Sequence, residues 1–451
     1  MSLHIVLIGL GQVGLYLAKV LSRENHNVVA IESNLPCCRE AGENLDVQVL
    51  HGRGTDHRLL EMAGIRQADM IIALTGSDDQ NILTCQMAAR YGVQRKIARI
   101  RNPVFYENPP QFSLSQWGVD VAIQPELETA KEIVLLIKRS AATDVLEFAE
   151  NMVQLIGIRL DGLCPVLNQT VQEVSQRFRE QAFRAVAILR NNKTIIPAGH
   201  DLYLQRDQVF FMAESEGIPK IVALMGKSEE KLNRIMILGG GKIGRFTARF
   251  LEEEKDLEIK LIESNPDKTQ QLADELLRTL VIHGDGRNFD LLATEGILET
   301  DALVSVTDDE ETNILTSLLA KHLGVTKTIA LVSREEYLPI MAPIGVNAAV
   351  NINLITSNSI LRLIRRGDVV SLASLPGVDA QVVEYIVHTG SKIARKPLSK
   401  IDFPKDAIVG AVTRGGRVII PVGETQIQPD DHVVVFSLPR VLLEVEKLFE
   451  R

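Results

Sequence analysis

Between Leu3 and about Arg139 the chain alternates short apolar runs with stretches of helical periodicity. The runs are His4–Ile8, Asn27–Ile31, Val47–His51, Met70–Leu74, Lys96–Ile100 and Val119–Ile123. Segments such as IVLIG and MIIAL are apolar without alternation, which is how a strand covered on both faces reads. Strands that alternate with helices predict a parallel sheet between helical layers. From Glu126 to Lys138 the apolar residues Leu127, Ala130, Ile133, Val134 and Ile137 keep a helical period. That helix is expected to connect two lobes or to lie in a subunit interface. After about Ala142 the pattern becomes a small, strand-rich lobe. Val153–Arg159 reads as a strand and Gln169–Phe178 as a short helix. Arg184–Leu189 and Thr194–Pro197 flank Asn191-Asn192, a tight hairpin, and Gln208–Ala213 is a last strand.

The whole pattern then repeats. GLGQVG at Gly9 to Gly14 returns as GGGKIG at Gly239 to Gly244, and Ile31-Glu32-Ser33-Asn34 returns as Ile262-Glu263-Ser264-Asn265. His51-Gly52-Arg53-Gly54 is answered by His283-Gly284-Asp285-Gly286, and Asp69–Leu83 by Asp301–Leu315. Leu189–Pro197 is answered by Thr413–Pro421, with Gly415-Gly416 in place of the asparagines. Agreement in order over nearly the entire chain marks a duplication. The expected organisation is α/β: two tandem Rossmann-like, doubly wound parallel-sheet domains at residues 1–140 and 231–368. Each is followed by a small α+β lobe, at 141–230 and 369–451, the last ending in a helix over Arg440–Phe449.

Composition narrows the class without changing the fold. A chain of 451 residues with 45% hydrophobic and 24% charged residues is an ordinary globular one, not a disordered one. No apolar run approaches the roughly 20 residues that span a bilayer, and Met1 to Gly14 lacks the form of a secretory signal. Cys37, Cys38, Cys85 and Cys164 show no metal or redox spacing, which fits a reducing compartment. A net charge of −9 disfavours nucleic acid as the main partner. A soluble, cytoplasmic protein is expected.

The candidate chemistry lies in the glycine loops. Each follows an apolar strand and precedes a helix, so Gly9 permits a tight turn, Gly11 a close backbone approach to a pyrophosphate, and Gly14 close strand–helix packing. Phosphates would meet unpaired N–H groups at a helix N-terminus. Glu32 and Glu263 end the next strand at about the spacing of a carboxylate that accepts ribose hydroxyls. Ser33-Asn34 and Ser264-Asn265 follow them with no adjacent arginine, favouring NAD(H) over NADP(H). Later strand ends add Gly52-Arg53, Thr75-Gly76 and Arg99 in the first half, against Gly284-Asp285, Thr307-Asp308 and Leu331 in the second. Lys242 could reach a phosphate as a point charge, so the two pockets are expected to differ in preference. Plainer readings exist for each feature: a ligand-free turn for the loops, a solvated strand end for each glutamate, a surface ion pair for Arg99. His51 and His283 are expected to satisfy loops, Cys37-Cys38 to start a helix, and the acidic runs Glu252–Glu254 and Asp308–Glu311 to be solvated.

The small lobes offer little for catalysis. His200 stands in the first, His388 and His432 in the second, unmatched, and no GxSxG, HExxH or paired-carboxylate pattern occurs in either. No catalytic or metal-ligating residue is assigned, and two nucleotide sites without chemistry suggest a sensor. The order GLGQVG, strand-end glutamate, HGRGT, ALTGSDDQN and IARIRNP, then a small lobe and a second copy, resembles the TrkA family over essentially the entire chain. These are cytosolic regulatory subunits of Trk-type bacterial potassium uptake systems, built from tandem domains that regulate potassium conductance (RCK, or KTN, domains). The resemblance implies binding of NAD(H) and of ATP or ADP, and a homo-oligomeric, tetrameric ring. It also implies a separate potassium-translocating membrane subunit as partner, and a peripheral place on the cytoplasmic face of the inner membrane. By position it implies a first site of Gly9, Gly11, Gln12, Val13, Gly14, Glu32, Thr75, Gly76 and Arg99. The second is Gly239, Gly241, Lys242, Ile243, Gly244, Glu263 and Thr307. Gln12 stands where many single-copy relatives carry an arginine on a terminal phosphate, which argues against triphosphate at the first loop. Arg53 replaces the acid seen at Asp285, which alters ribose or metal contacts. Two other functions are open to these residues: an NAD-dependent oxidoreductase with an unrecognised substrate lobe, and a redox sensor with a soluble partner.

Overall fold

The computed structural model describes residues 3–23, 25–106, 113–178, 182–191, 193–364, 369–375, 378 and 380–450. The first half opens with β1 (His4–Ile8), α1 (Gln12–Arg23), β2 (Asn27–Glu32), α2 (Leu35–Asn44), β3 (Gln48–His51) and α3 (His57–Met62). It continues through β4 (Met70–Ala73), α4 (Asp78–Arg90), β5 (Arg95–Arg99), β6 (Val121–Ile123) and α5 (Pro125–Lys138). The strands form one parallel sheet in the order β3-β2-β1-β4-β5-β6, the doubly wound order with its switch point between β1 and β4. Only the last three residues of the expected Val119–Ile123 run are strand. Asn34 caps α2 by accepting from Cys37 N at 3.2 Å, and proline follows in the first turn, where its missing N–H costs nothing.

The first small lobe consists of β7 (Asp144–Phe148), β8 (Val153–Arg159), α6 (Val171–Arg177), β9 (Phe183–Arg190), β10 (Lys193–Ile195), β11 (Gln208–Glu214) and α7 (Ile218–Leu224). Its antiparallel sheet runs β10-β9-β11-β8-β7. Strand β7 and helix α7 are additions to the sequence reading. The hairpin expected at Asn191-Asn192 is present as the pairing of Arg190 with Lys193, with Asn191 at φ +51°; Asn192 itself lies outside the described residues.

The second half repeats this plan with β12 (Arg234–Leu238), α8 (Lys242–Leu251), β13 (Glu258–Glu263), α9 (Pro266–Glu275), β14 (Thr279–His283) and α10 (Phe289–Thr294). Next come β15 (Ala302–Ser305), α11 (Glu310–His322), β16 (Lys327–Val332), α12 (Leu338–Ile344), β17 (Ala348–Asn351) and α13 (Ile352–Ile364). The order β14-β13-β12-β15-β16-β17 matches the first sheet. The second small lobe has β18 (Val369–Ser374), β19 (Gln381–Ile386), β20 (Ala407–Arg414), β21 (Arg417–Ile419), β22 (His432–Ser437) and α14 (Leu442–Phe449), with sheet order β18-β19-β22-β20-β21. An ion pair to a buried aspartate recurs with the duplication: Arg190 Nε to Asp207 at 2.8 Å, and Arg414 Nε to Asp431 at 2.7 Å.

Compact grouping does not follow chain order. Residues 1–128 and 352–364 form one unit; 129–351 and 365–451 form the other. In the first unit α13 packs on α1 and β6, although it follows β17 directly in the chain. Asn353 Nδ2 donates to Gln12 Oε1 at 2.5 Å, and Arg95 donates to Leu363 O. In the second unit the later part of α5 stands beside the end of α8, through Lys138 and Glu254 at 2.7 Å. Residues 352–364 of the second half thus group with the first Rossmann fold, and the later part of α5, from Thr129, groups with the second unit.

Also in the second unit, the two small sheets share one apolar core containing Leu155, Val186, Phe210 and Met212 from the first lobe and Val382, Val434 and Phe436 from the second. Gly410 permits the close approach, since a Cβ there would lie 2.4 Å from Met212 Sδ.

Lys327, at the head of β16, is 1% exposed and donates to Ser140 O at 3.1 Å and to Ala142 O. Burial pushes its pKa down to about 7, opposed by the carboxylate of Asp144 and reinforced by Lys321. An unfolded lysine titrates near 10.4, so between about 7 and 10 the unfolded chain binds a proton that the folded one lacks. Stability is therefore expected to rise with pH across that window, by at most about 1.4 kcal/mol per unit. Asp144, pushed up by burial, contributes with opposite sign from about pH 4 upward. Urea unfolding from pH 6.5 to 9.5 should show this rise, and Lys327→Met should lose it.

Candidate nucleotide-binding clefts

Both glycine loops have the geometry that their spacing requires. Gly9 and Gly239 take φ of +95° and +105°, closed to most side chains. A Cβ on Gly14 would lie 2.0 Å from Gly9 O, and one on Gly244 1.9 Å from Gly239 O. By contrast, a Cβ on Gly11 or Gly241 would meet nothing within 4 Å. The central glycine of each loop therefore faces open space, whereas the third is needed for helix packing. Val13 and Ile243 bury their side chains in the cores below, so what they offer a ligand is the backbone N–H of a first helical turn.

The strand-end glutamates brace these loops. Glu32 Oε2 accepts from Leu10 N at 2.6 Å and its Oε1 from Asn34 N at 2.6 Å. Glu263 does the same with Gly240 N at 2.8 Å and Asn265 N at 2.8 Å. Among the described residues neither carboxylate has a cation as partner. Glu263 is only 7% exposed, and the Ser264 hydroxyl adds a third donor, to Oε1 at 3.4 Å. Glu32 Oε1 likewise takes the Ser33 hydroxyl at 3.2 Å, so in each glutamate Oε2 is the oxygen that retains a further lone pair for a hydroxyl donor. His51 and His283 hold the adjacent turns, donating to Ser33 O and Ser264 O at 3.1 Å each.

The fourth strand end is organised by an amide that the sequence reading did not single out. Asn81 is fully buried in α4, and its Oδ1 accepts from Thr75 N at 2.9 Å and Thr75 Oγ1 at 2.7 Å. Its Nδ2 donates to Arg99 O at 2.8 Å. Asn313 repeats this with Thr307 at 2.8 and 2.7 Å and with Leu331 O at 3.1 Å. One side chain thereby ties the ends of two neighbouring strands. Asp78 and Glu310 add a second tie, accepting from Arg101 N and Ser333 N respectively, both at 3.0 Å. The signal for these residues was their recurrence within the Asp69–Leu83 and Asp301–Leu315 repeat.

The two clefts differ as their sequences imply. The second encloses about 400 Å3, walled by Gly239, Gly241, Glu263, Asp285 and Thr307, with Lys268, Arg287 and Thr312 as additions. Asp285 is paired with Arg287 at 2.8 Å, which holds its carboxyl below the usual range. Asp309 is likewise held down, by the Thr312 hydroxyl first. Lys242 and Ile243 begin α8 beside this loop. In the first half Gln12 is engaged by Asn353 of α13, Gly76 lies exposed after β4, and Arg53 occupies the place of Asp285. Arg99 has a lowered pKa from burial and from Arg101, countered by Glu126 and Asp78, and its buried Nε has no partner among the described residues. Arg101 itself is paired with Glu126 at 2.7 Å.

Two Rossmann folds in tandem, each with a braced glycine loop and each followed by an antiparallel lobe, define a duplicated dinucleotide-fold protein. The TrkA-N domain family matches residues 5–125 and 235–352, and the TrkA-C domain family matches residues 382–450. A Trk system potassium uptake protein TrkA homolog of Methanosarcina mazei is 35% identical, with 99% of each chain covered. The TrkA protein of Halomonas elongata is 32% identical, again over 99% of both chains. The chain belongs to the TrkA family. Among solved structures, the GsuK RCK domain aligns over 100% of this chain and 95% of its own, with a TM-score of 0.60 and 18% identity. The GsuK channel bound to NAD aligns over 100% and 78%, with a TM-score of 0.59 and 18% identity. These two share the fold.

Proposed function

We propose that this chain is a non-catalytic regulatory subunit of a Trk-type potassium uptake system, responsive to NAD(H) and to adenine nucleotides such as ATP or ADP. The observation that carries the reading is the recurrence, in both halves, of a glycine loop braced by a strand-end glutamate with open space before its central glycine. The first site would use Gly9, Gly11, Gln12, Val13, Gly14, Glu32, Thr75, Gly76 and Arg99; the second, Gly239, Gly241, Lys242, Ile243, Gly244, Glu263 and Thr307. A bound nucleotide would supply phosphates to the loop N–H groups and ribose hydroxyls to Glu32 or Glu263. Its adenine end would lie against the cleft walls. Arg287 holds the Asp285 carboxyl, and the Thr312 hydroxyl first that of Asp309, below the usual range, so neither is a proton donor near neutral pH.

The lobes 1–140, 141–230, 231–368 and 369–451 would act as one gating element, assembled as a tetrameric ring at the cytoplasmic face of the inner membrane. No helix among the described residues is long and apolar enough to cross a membrane, so potassium would pass through a separate translocating subunit. Ligand-dependent coupling of this kind is typically about 1–3 kcal/mol, or 5- to 150-fold. Cells lacking the gene are expected to regain potassium uptake with the unaltered chain, and at least about five-fold less with Glu32→Ala plus Glu263→Ala. Full recovery with the double variant would exclude nucleotide control. Turnover of NAD(H) by the purified protein across a panel of hydroxy and amino acids would exclude a non-catalytic role.

A further inference from the structure

A further cleft, to which neither glycine loop contributes a lining residue, lies in the second unit. It encloses about 590 Å3 between the end of β8, the turn before β11, the segment after α7 and the start of β16. Four basic side chains line it, Arg159, Arg206, Lys227 and Lys327, against two carboxylates, Asp161 and Glu230. Both carboxylates are engaged. Asp161 takes the Lys227 ammonium and accepts from Leu163 N at 3.0 Å; Glu230 Oε2 accepts from Thr326 Oγ1 at 3.2 Å. Among the described residues Arg159 and Arg206 form no ion pair. They are close enough that Arg206, after burial, holds the Arg159 pKa below its usual value. Lys327, on the same lining, is held by Ser140 O and Ala142 O and faces the Asp144 carboxylate. Ser140 Oγ, also on that lining, is buried and has no hydrogen-bond partner among the described residues.

Like charges set side by side in a concavity are unfavourable unless an anion joins them, and low-dielectric walls focus their field on that anion. Guanidinium groups present planar forks that match phosphate oxygens two at a time. We propose that this cleft binds a polyphosphate anion between Arg159 and Arg206, at a place where the first small lobe meets the second Rossmann fold. The volume exceeds what two phosphates fill, so the anion is either free or the tail of a nucleotide. The ligand would brace the junction that Lys327 spans through Ser140 O and Ala142 O, joining the gating lobe to the second nucleotide domain.

The test uses the full chain carrying Gly11→Asp and Gly241→Asp, which closes both glycine-loop clefts. Calorimetric titration with inorganic pyrophosphate should still show binding. Adding Arg159→Gln and Arg206→Gln should weaken it by about ten-fold or more per arginine, the loss that follows removal of a charge-assisted hydrogen bond. A matched thermal midpoint confirms folding. If the glutamine pair shifts the midpoint, the Arg159→Lys and Arg206→Lys pair, which keeps the charge and loses the fork, should show a smaller loss. A parallel titration with ATP separates the sources: tighter binding than pyrophosphate assigns the remaining volume to a nucleoside, and equal binding assigns the site to free polyphosphate. Absence of pyrophosphate binding in the glycine variant, or binding that ignores both arginines, would overturn the proposal.

Discussion

A Gly241→Asp chain is expected to bind NADH at its second cleft at least about 100-fold more weakly, some 2.7 kcal/mol, while melting at an unchanged temperature. Gly241 has φ −63° and ψ −176°, ordinary extended backbone for any residue, and its Cβ would meet nothing within 4 Å. The aspartate is therefore accommodated by the protein. It is not accommodated by a ligand, because its carboxylate stands where a pyrophosphate would approach the loop and sets a like charge in front of the N–H donors. Gly11→Asp should act in the same way on the first cleft, where the space is equally open. Gly244→Ala makes the contrast: its methyl would lie 1.9 Å from Gly239 O, so the loop must shift and the fold suffers with the site. Calorimetry on the unaltered chain should resolve two classes of site, each lost in one aspartate variant. Undiminished binding in both variants would show that the loops are turns and that the nucleotide goes elsewhere.

How much of this could be read from the chain depends on the range of the interaction. The buried strands of both Rossmann folds were legible because a strand covered on both faces must be apolar throughout, as in His4–Ile8 and Met70–Ala73. The glycine loops were legible because steric demands at Gly9 and Gly14 admit few other residues. Strand β7 was missed. DVLEF carries two carboxylates in five residues, and its inward side chains, Val145 and Phe148, do not alternate cleanly. Helix α13 lies within the 231–368 domain that chain order implies. Its apolar surface says that it is covered, but the pattern of one half cannot say that α1 and β6 of the other half cover it.

The site divides along the same line. Glu32 and Glu263 were found from local spacing, and their bonds to Leu10 N and Gly240 N follow from that local geometry. Asn81 and Asn313 were overlooked because an amide one turn into a helix reads as solvated surface, whereas both are buried and tie Thr75 and Thr307 to a neighbouring strand. The engagement of Gln12 by Asn353 has no local signature at all, since the partners are far apart in sequence. It fixes that side chain nonetheless: the amide at the start of α1 is already held by α13.

Phe436→Ala is expected to destabilise the chain by about 3–5 kcal/mol, with Phe210→Ala costing a similar amount, measured by urea unfolding. Both rings are fully buried, and both belong to the core shared by the two small sheets. Removing either leaves a cavity that cannot close by shifting one sheet, because Gly410 already brings the sheets as near as Met212 Sδ allows. The informative quantity is the coupling between the two changes. Side chains in one core show interaction energies of about 0.5–3 kcal/mol, whereas independent sites add to within about 0.5 kcal/mol. The double variant should therefore depart from the sum of the singles, and the small lobes should unfold in one transition. Strict additivity with two separate transitions would mean that each lobe folds alone and that the shared core transmits nothing. A non-additive pair would give the duplication its mechanical meaning: the lobe that follows each nucleotide fold is one sheet of a common sandwich, so a change imposed on either half is borne by both.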